Sequence, residues 1–249
     1  MNQPFKQIDY FGLGTPRWNA LESDPRATLV KNGRQRKVWR VVLPQGQRVY
    51  AKVFDDPVGA PLLWCKRTLR VHPAMREWRA LTQLQFLGVP AVRPIAIAKY
   101  QPPFEAVSSQ RSGILAHRLV LLTEGIEKAT TLMAAWNAIC RPDANLVRSS
   151  KARLLSAAVA QLWACAHGRG YTHPDGHPGN VLIENDGSSE QAIGRAVFID
   201  PARSTFSTLR PQPASTKKVL LSLVMLDQYF HRSATRAERL RFWRDYWVR

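Results

Sequence analysis

The chain has 249 residues, enough for one large domain or two small lobes, and enough to bury a core without disulfide or metal staples. Hydrophobic residues at 45% and charged residues at 22% match an ordinary globular protein, which excludes collagen-like, disulfide-scaffold and wholly disordered chains despite 17 prolines. The charge is unusual: 36 Lys plus Arg against 18 Asp plus Glu give +18 and a sequence pI near 10.6, so anionic partners are expected, whether nucleic acid, phosphorylated glycan or an anionic membrane face.

Cys65, Cys140 and Cys165 are odd in number and lack C-x-x-C spacing, so they suggest neither a disulfide framework nor a zinc site and fit a reducing compartment. The start, Met1 to Lys6, has no apolar signal core, and no window reaches the apolar length of a bilayer span. A cytoplasmic protein with at most peripheral membrane contact is expected.

Residues 27 to 54 predict strands: Lys37 to Leu43, a turn at Pro44-Gln45-Gly46, and Arg48 to Phe54 form a hairpin rich in β-branched and aromatic residues. From Pro73 the period becomes helical, with Trp78, Leu81, Leu84 and Leu87 three apart, and Gly88 and Pro90 end it. Pro94 to Ala98 and Arg118 to Leu122 predict two further strands, separated by a loop holding Pro102-Pro103 and Ser108-Ser109. After Glu124-Gly125 the text turns helical. Ser150 to His167 places Leu154, Leu155, Ala158, Val159, Leu162 and Ala166 on one face, and Lys217 to Phe230 and Ala237 to Tyr246 repeat the period. Short strands are expected only at Val181 to Ile183 and Val197 to Ile199. The expected architecture is α+β, with a sheet lobe over 1–123 carrying one helix, and a mainly helical lobe over 124–249. A ligand cleft is expected between two such lobes.

The chemistry is concentrated in His173-Pro174-Asp175-Gly176-His177-Pro178-Gly179-Asn180, followed by an apolar strand and then by Phe198-Ile199-Asp200. Phosphoryl transfer needs a carboxylate at the acceptor hydroxyl, and an amide and a second carboxylate for the divalent metal on the phosphates. Asp175, Asn180 and Asp200 supply these groups, and the step from Asp175 to Asn180 is the D-x-x-x-x-N spacing of a kinase catalytic loop. Val49-Tyr50-Ala51-Lys52 ends the hairpin as the V-A-I-K strand does, which makes Lys52 the candidate lysine for the nucleotide phosphates. Glu77 shares a helix face with Leu81 and Leu84 and is the candidate partner that orients it. Gly33, in Asn32 to Val38, stands where a phosphate-covering loop belongs. Taken singly, Lys52 reads as a snorkelling strand lysine, Glu77 as a solvated carboxylate, and Asp175 and Asn180 as turn formers; only their joint order speaks for catalysis.

That order resembles the protein-kinase-like superfamily and, within it, the lipopolysaccharide core kinases of the Kdo/WaaP type, over about residues 30 to 249. The series runs from the hairpin lysine through Arg76-Glu77-Trp78 and a hinge at Leu122-Thr123-Glu124 to the catalytic loop and the metal aspartate. His177-Pro178-Gly179-Asn180 is similar to the H-x-x-N form of small-molecule and glycolipid kinases. The resemblance implies a two-lobed kinase-like fold with a reduced C-terminal lobe. It also implies ATP- and Mg²⁺-dependent transfer of the γ-phosphate to a sugar hydroxyl of Kdo or heptose at the cytoplasmic face of the inner membrane. Asp175 would be the catalytic carboxylate and Asn180 and Asp200 the metal ligands. Lys52, Glu77, Gly33, Glu124 and His177 would serve the nucleotide, with the backbone of 123–125 at the adenine edge.

Pro174 stands where H-R-D has arginine, Pro201-Ala202-Arg203 follows Asp200 without the glycine of D-F-G, and no A-P-E follows. These departures argue against a protein substrate. Two alternatives stay open: a kinase for another small-molecule hydroxyl, and a non-catalytic pseudokinase that binds nucleotide and an anionic partner. No specific nucleic-acid motif is present. His173 reads as a brace for the loop, and His177 as a phosphate contact or a local hydrogen bond. Trp39, Trp64, Trp78, Trp163, Trp243 and Trp247 read as packing residues. The stretch Arg236 to Arg244 reads as a solvated amphipathic face or an attachment to an anionic membrane, and Lys66 to Arg70 as either that or a grip on phosphorylated glycan.

Overall fold

A computed structural model describes residues 21–22, 24–33, 36–43, 46–54, 72–100, 118–140, 145–185, 193–201, 205–206 and 212–248. The architecture is α+β. The chain forms two compact units, Met1–Arg79 with Arg93–Gly125, and Ala80–Val92 with Ile126–Arg249. The expectations for Cys65, Trp64, Lys66 to Arg70, and the loop at Pro102 to Ser109 lie outside the described residues.

The first unit is built on an antiparallel sheet of β1 (Ala27–Gly33), β2 (Arg36–Val42), β3 (Arg48–Phe54), β4 (Pro94–Tyr100) and β5 (Arg118–Glu124), in the order β1-β2-β3-β5-β4. The predicted hairpin is the β2–β3 pair, with Val38 opposite Lys52 and Trp39 opposite Ala51. Gly46, at φ +80°, takes the left-handed conformation that its turn needs and a Cβ resists. Alternation then sorts the side chains by face. Trp39, Val41, Val49, Ala51, Val53, Val120 and Leu122 join Leu21 in one core. Val38, Lys52 and Leu121, mutually opposite across three strands, carry the other face, where a lysine meets helix rather than core.

That helix is α1 (Pro73–Phe86). Proline at its first position costs no hydrogen bond, and Nδ1 of His72 accepts from the Ala74 amide at 3.1 Å. It ends as expected at Gly88, φ +65°.

The second unit contains α2 (Leu132–Ile139), α3 (Asn145–Gly168), α4 (Thr216–Phe230) and α5 (Arg236–Trp247). It also holds a small sheet of β6 (Ala129–Thr131), β8 (Val181–Glu184) and β9 (Ala196–Phe198), and a two-stranded ladder of β7 (Tyr171–Thr172) and β10 (Thr205–Phe206). Its core gathers Leu84 and Leu87 with Leu155, Val159, Leu162, Trp163, Ala166, Tyr171, Phe198, Leu223, Leu226 and Tyr246. α5 opens with a reciprocal cap, in which Thr235 and Glu238 satisfy each other's backbone amides.

Two packing expectations fail. Leu154 is exposed rather than part of the buried face of α3, because it lies about 100° around the helix from Leu155 and outside the arc of Leu155, Val159, Leu162 and Ala166. Trp247 is exposed too; its neighbour Tyr246 takes the inward position in the last turn of α5. α2 and the short strands β6, β7 and β10 carry too little periodicity to be read from the sequence.

Candidate active site

In the first unit, Lys52 and Glu77 form an ion pair, Nζ to Oε1, at the junction of β3 and α1. The Glu77 side chain is 0% exposed and that of Lys52 9%. Buried carboxylates and ammonium groups persist only when paired, because each loses its hydration. Nη1 of Arg36 stands 3.7 Å from the other carboxylate oxygen, Oε2, with a side chain 21% exposed. Arg36 also lies over the Phe54 ring, 5.9 Å from its centroid, and Phe54 meets the His72 ring edge-on at 6.1 Å. Glu77 is thereby held by two cations from neighbouring strands, and Lys52 stands on the face opposite the aliphatic core.

Gly33 closes β1 opposite Arg36, and a Cβ there would stand 3.1 Å from the Arg36 carbonyl oxygen. Residues 34–35 lie outside the described residues. At the end of β5, the carboxylate of Glu124 accepts from Nε of Arg93 at 2.9 Å, and its amide donates to the Arg93 carbonyl. The Gly125 amide donates to the Arg48 carbonyl at 2.8 Å. A Cβ on Gly125 would come within 2.7 Å of that oxygen, so only glycine permits this approach.

In the second unit, β7 runs into the loop 173–177, a short 3₁₀ turn at Pro178–Asn180 and then β8. The turn chemistry of the sequence is used in full. His177 caps the 3₁₀ turn, its Nδ1 accepting from the Gly179 amide at 2.8 Å, and its own amide donates to the Asp175 carbonyl at 2.7 Å. The Asn180 amide returns to the His177 carbonyl at 2.8 Å, and Nδ2 of Asn180 reaches the Asp175 carbonyl at 3.3 Å. Asp175 and Asn180 are thus brought together, and with Nδ2 committed, Oδ1 of Asn180 is the atom left for a metal. The His177 ring packs edge-on against Tyr229, centroids 4.4 Å apart. Its local hydrogen bond leaves Nε2 as the nitrogen for any phosphate contact.

Asp200 joins this group through the backbone. The Ile199 amide donates to the Asn180 carbonyl at 2.8 Å, and β9 is fixed by Phe198, which exchanges hydrogen bonds with Pro90 and Val92. Asp200 has φ +56°, a left-handed conformation that aspartate tolerates better than most residues. His173 is buried, its ring stacked on Phe198. Burial holds its pKa below the usual histidine value, against the opposing pull of the Asp175 and Asp200 carboxylates and the Asp200 backbone. Burial thus favours the neutral imidazole, which packs on Phe198 two residues before Asp200.

The donor chemistry fits a hard divalent cation. A carboxylate from Asp200 and an amide oxygen from Asn180 are the oxygen ligands magnesium prefers, and phosphates and water ordinarily complete its octahedron. Among the described residues no three His, Cys, Asp or Glu side chains form a self-sufficient metal site, so a metal here would share its coordination with a phosphorylated ligand.

Three supports escape sequence reasoning. Oγ of Ser222, on α4, donates to the His173 carbonyl at 3.1 Å. Gly176 packs so closely beneath that a Cβ would stand 3.0 Å from the Ser222 carbonyl oxygen and 3.4 Å from the Trp163 ring. Arg36 supplies the second cation on Glu77. Asp175-Gly176 reads in the sequence as turn chemistry, and nothing there identifies the helix that packs against it.

A protein-family model described as lipopolysaccharide kinase (Kdo/WaaP) family matches residues 62–246. Among solved structures, one described as "WaaP in complex with acyl carrier protein" superposes with a TM-score of 0.61 at 19% identity, covering 100% of this chain and 90% of that one. At that identity the likeness speaks for the fold. No curated protein sequence matches the chain.

Proposed function

The chain belongs to the lipopolysaccharide kinase (Kdo/WaaP) family, and from that premise we propose that it transfers the γ-phosphate of ATP to a sugar hydroxyl of the lipopolysaccharide inner core, on Kdo or a heptose. The observation that carries the reading is the fully buried carboxylate of Glu77 holding the Lys52 ammonium. A buried ion pair is a poor investment for stability alone, and a lysine fixed in this way suits the α- and β-phosphates of a nucleotide.

The second unit supplies the transfer chemistry. Asp175 accepts the proton of the acceptor hydroxyl as its oxygen bonds to the γ-phosphorus, while the bond from phosphorus to the bridging β,γ-oxygen breaks and ADP leaves. Asn180, through Oδ1, and Asp200, through its carboxylate, would hold Mg²⁺, which when bound neutralises phosphate charge. The hydrogen bonds from the His177 amide and Asn180 Nδ2 to the Asp175 carbonyl support this reading by holding the backbone from which the carboxylate projects, and such positioning is a large part of phosphoryl-transfer catalysis. Glu124, Gly125 and the Thr123 backbone would serve the adenine, and Gly33 the phosphates.

Among the described residues no helix is long and apolar enough to cross a membrane. The proposed site of action is the cytoplasmic face of the inner membrane, reached peripherally.

The test is incubation with ATP, Mg²⁺ and purified inner-core lipopolysaccharide, followed by mass spectrometry of the released oligosaccharide. A product one phosphate heavier, formed by the wild type and abolished in folded Asp175→Ala and Lys52→Ala variants, is expected. ATP binding without transfer to this or a panel of other sugars would instead make the chain a nucleotide-binding module without catalysis.

A further inference from the structure

Helix α4 is apolar on both sides. Ser222, Leu223 and Leu226 are buried on its inner face, yet Leu220, Leu221 and Val224 are 48%, 56% and 53% exposed. These three fall with Lys217 and Gln228 at i, i+3, i+4, i+7 and i+11, a single stripe along the outside of the helix. Three half-exposed aliphatic side chains in one row are unlike the isolated apolar residues usual on a protein surface.

We infer that this outer face of α4 is the surface by which the protein lies against an anionic bilayer. It deepens the peripheral reading given above, and rests on it, by naming the contact. The charge selects the partner. Lys217 and Lys218 are both exposed at the start of the stripe, and no acidic residue belongs to it. The one carboxylate of the helix, Asp227, is bound by Arg239 at 2.8 and 2.9 Å, and the chain as a whole carries +18. Leucine and valine beside lysines, with no acid in the stripe, suit a helix lying in the membrane interface, whereas protein interfaces are depleted in lysine. α5 shows the same mixture, with exposed Leu240 and Trp247 and exposed Arg236.

The inner face of the same helix holds the catalytic loop. Ser222 Oγ bonds the His173 carbonyl, and Gly176 packs against the Ser222 backbone. A helix resting on the bilayer would therefore carry the Asp175 loop on its other side, so that an acceptor anchored in that bilayer meets the catalytic carboxylate at a constrained height.

The experiment is co-sedimentation of the full chain with vesicles of phosphatidylethanolamine and phosphatidylglycerol, and with zwitterionic vesicles, scored without ATP or acceptor. The triple variant L220Q/L221Q/V224Q should lose about thirtyfold or more in partitioning to the anionic vesicles, from the apolar area it withholds. The pair K217Q/K218Q should lose about five- to thirtyfold, with wild-type binding fading at high salt. The triple variant should keep the wild-type thermal midpoint and should phosphorylate a soluble inner-core oligosaccharide as the wild type does. Unchanged partitioning of the triple variant, or equal binding to zwitterionic vesicles, would overturn the inference. So would a wild-type dimer that the triple variant converts to monomer, which would make the stripe a self-interface. Because vesicle binding is scored apart from transfer, failure of the kinase reading leaves this result legible.

Discussion

Removing Glu77 should destabilise the protein more than removing Lys52. Glu77 is fully buried between two cations, Lys52 and Arg36. When Lys52→Met removes the first, the carboxylate keeps Arg36 at 3.7 Å, and a cost of about 1–3 kcal/mol is expected for the weakened buried acceptor. Glu77→Gln strands a lysine that is 9% exposed, and leaving a buried charge uncompensated costs about 3–5 kcal/mol. The double variant K52M/E77L replaces the pair by apolar volume and should return to within about 1–2 kcal/mol of wild type, since Arg36, 21% exposed, has water within reach. Urea unfolding followed by tryptophan fluorescence reads these values, provided the slopes agree. All three variants should lose wild-type ATP affinity. A Lys52→Met cost equal to or above that of Glu77→Gln, or single-variant costs all below about 0.5 kcal/mol, would refute the reasoning, the latter by showing an exposed pair.

Other expectations follow from the loop and its supports. Gly176→Ala places a methyl 3.0 Å from the Ser222 carbonyl oxygen and should cost about 1–3 kcal/mol, whereas Ser222→Ala, which leaves the His173 carbonyl short of a donor, should cost about 1–3 kcal/mol; both should lower kcat more than they raise the KM for ATP. Asp200→Asn should fold normally, because asparagine accepts φ +56°, and should fail to transfer phosphate, while Asp200→Val should also lose about 1–2 kcal/mol to backbone strain. Stability should fall on acidification. Burial lowers the His167 pKa to about 4, and its Nδ1 lies 2.8 Å from the Tyr246 hydroxyl. Because the unfolded chain protonates first, this stabilisation is complete above about pH 6.5 and is lost progressively as pH falls toward 4, by about 3 kcal/mol in all. Urea midpoints across that window should fall less steeply for His167→Asn; an unchanged slope would refute the assignment.

The long, strongly patterned elements could be read from the sequence. Alternation over Lys37 to Phe54 gave the hairpin and put Lys52 on the face away from Val49, Ala51 and Val53, and the spacing of Glu77, Leu81 and Leu84 turned the carboxylate inward. Turn-forming residues from His173 to Asn180 announced a loop. Contacts between segments distant in sequence were not legible. The Ser222 hydroxyl lies 49 residues from the carbonyl it bonds, and no local pattern distinguishes it from a solvated serine. The outer stripe of α4 was hidden for another reason. Leu220, Leu221, Leu223, Val224 and Leu226 form one apolar run, and periodicity alone does not say which of two apolar faces is buried. Leu154 and Trp247 failed in the same way, as large apolar residues next to others that had already taken the core.

The central claim is that Asp175 receives the acceptor proton during phosphate transfer, and it is tested most directly by the Asp175→Asn variant. Asparagine keeps the shape and the backbone carbonyl that His177 and Asn180 bond, and removes only the proton-accepting carboxylate. The measurement is kcat for phosphate transfer from ATP to inner-core lipopolysaccharide, set beside the Kd for ATP. A kcat lower by about 10²–10⁴-fold with ATP affinity unchanged is predicted. Transfer by the asparagine variant at the wild-type rate would contradict the account.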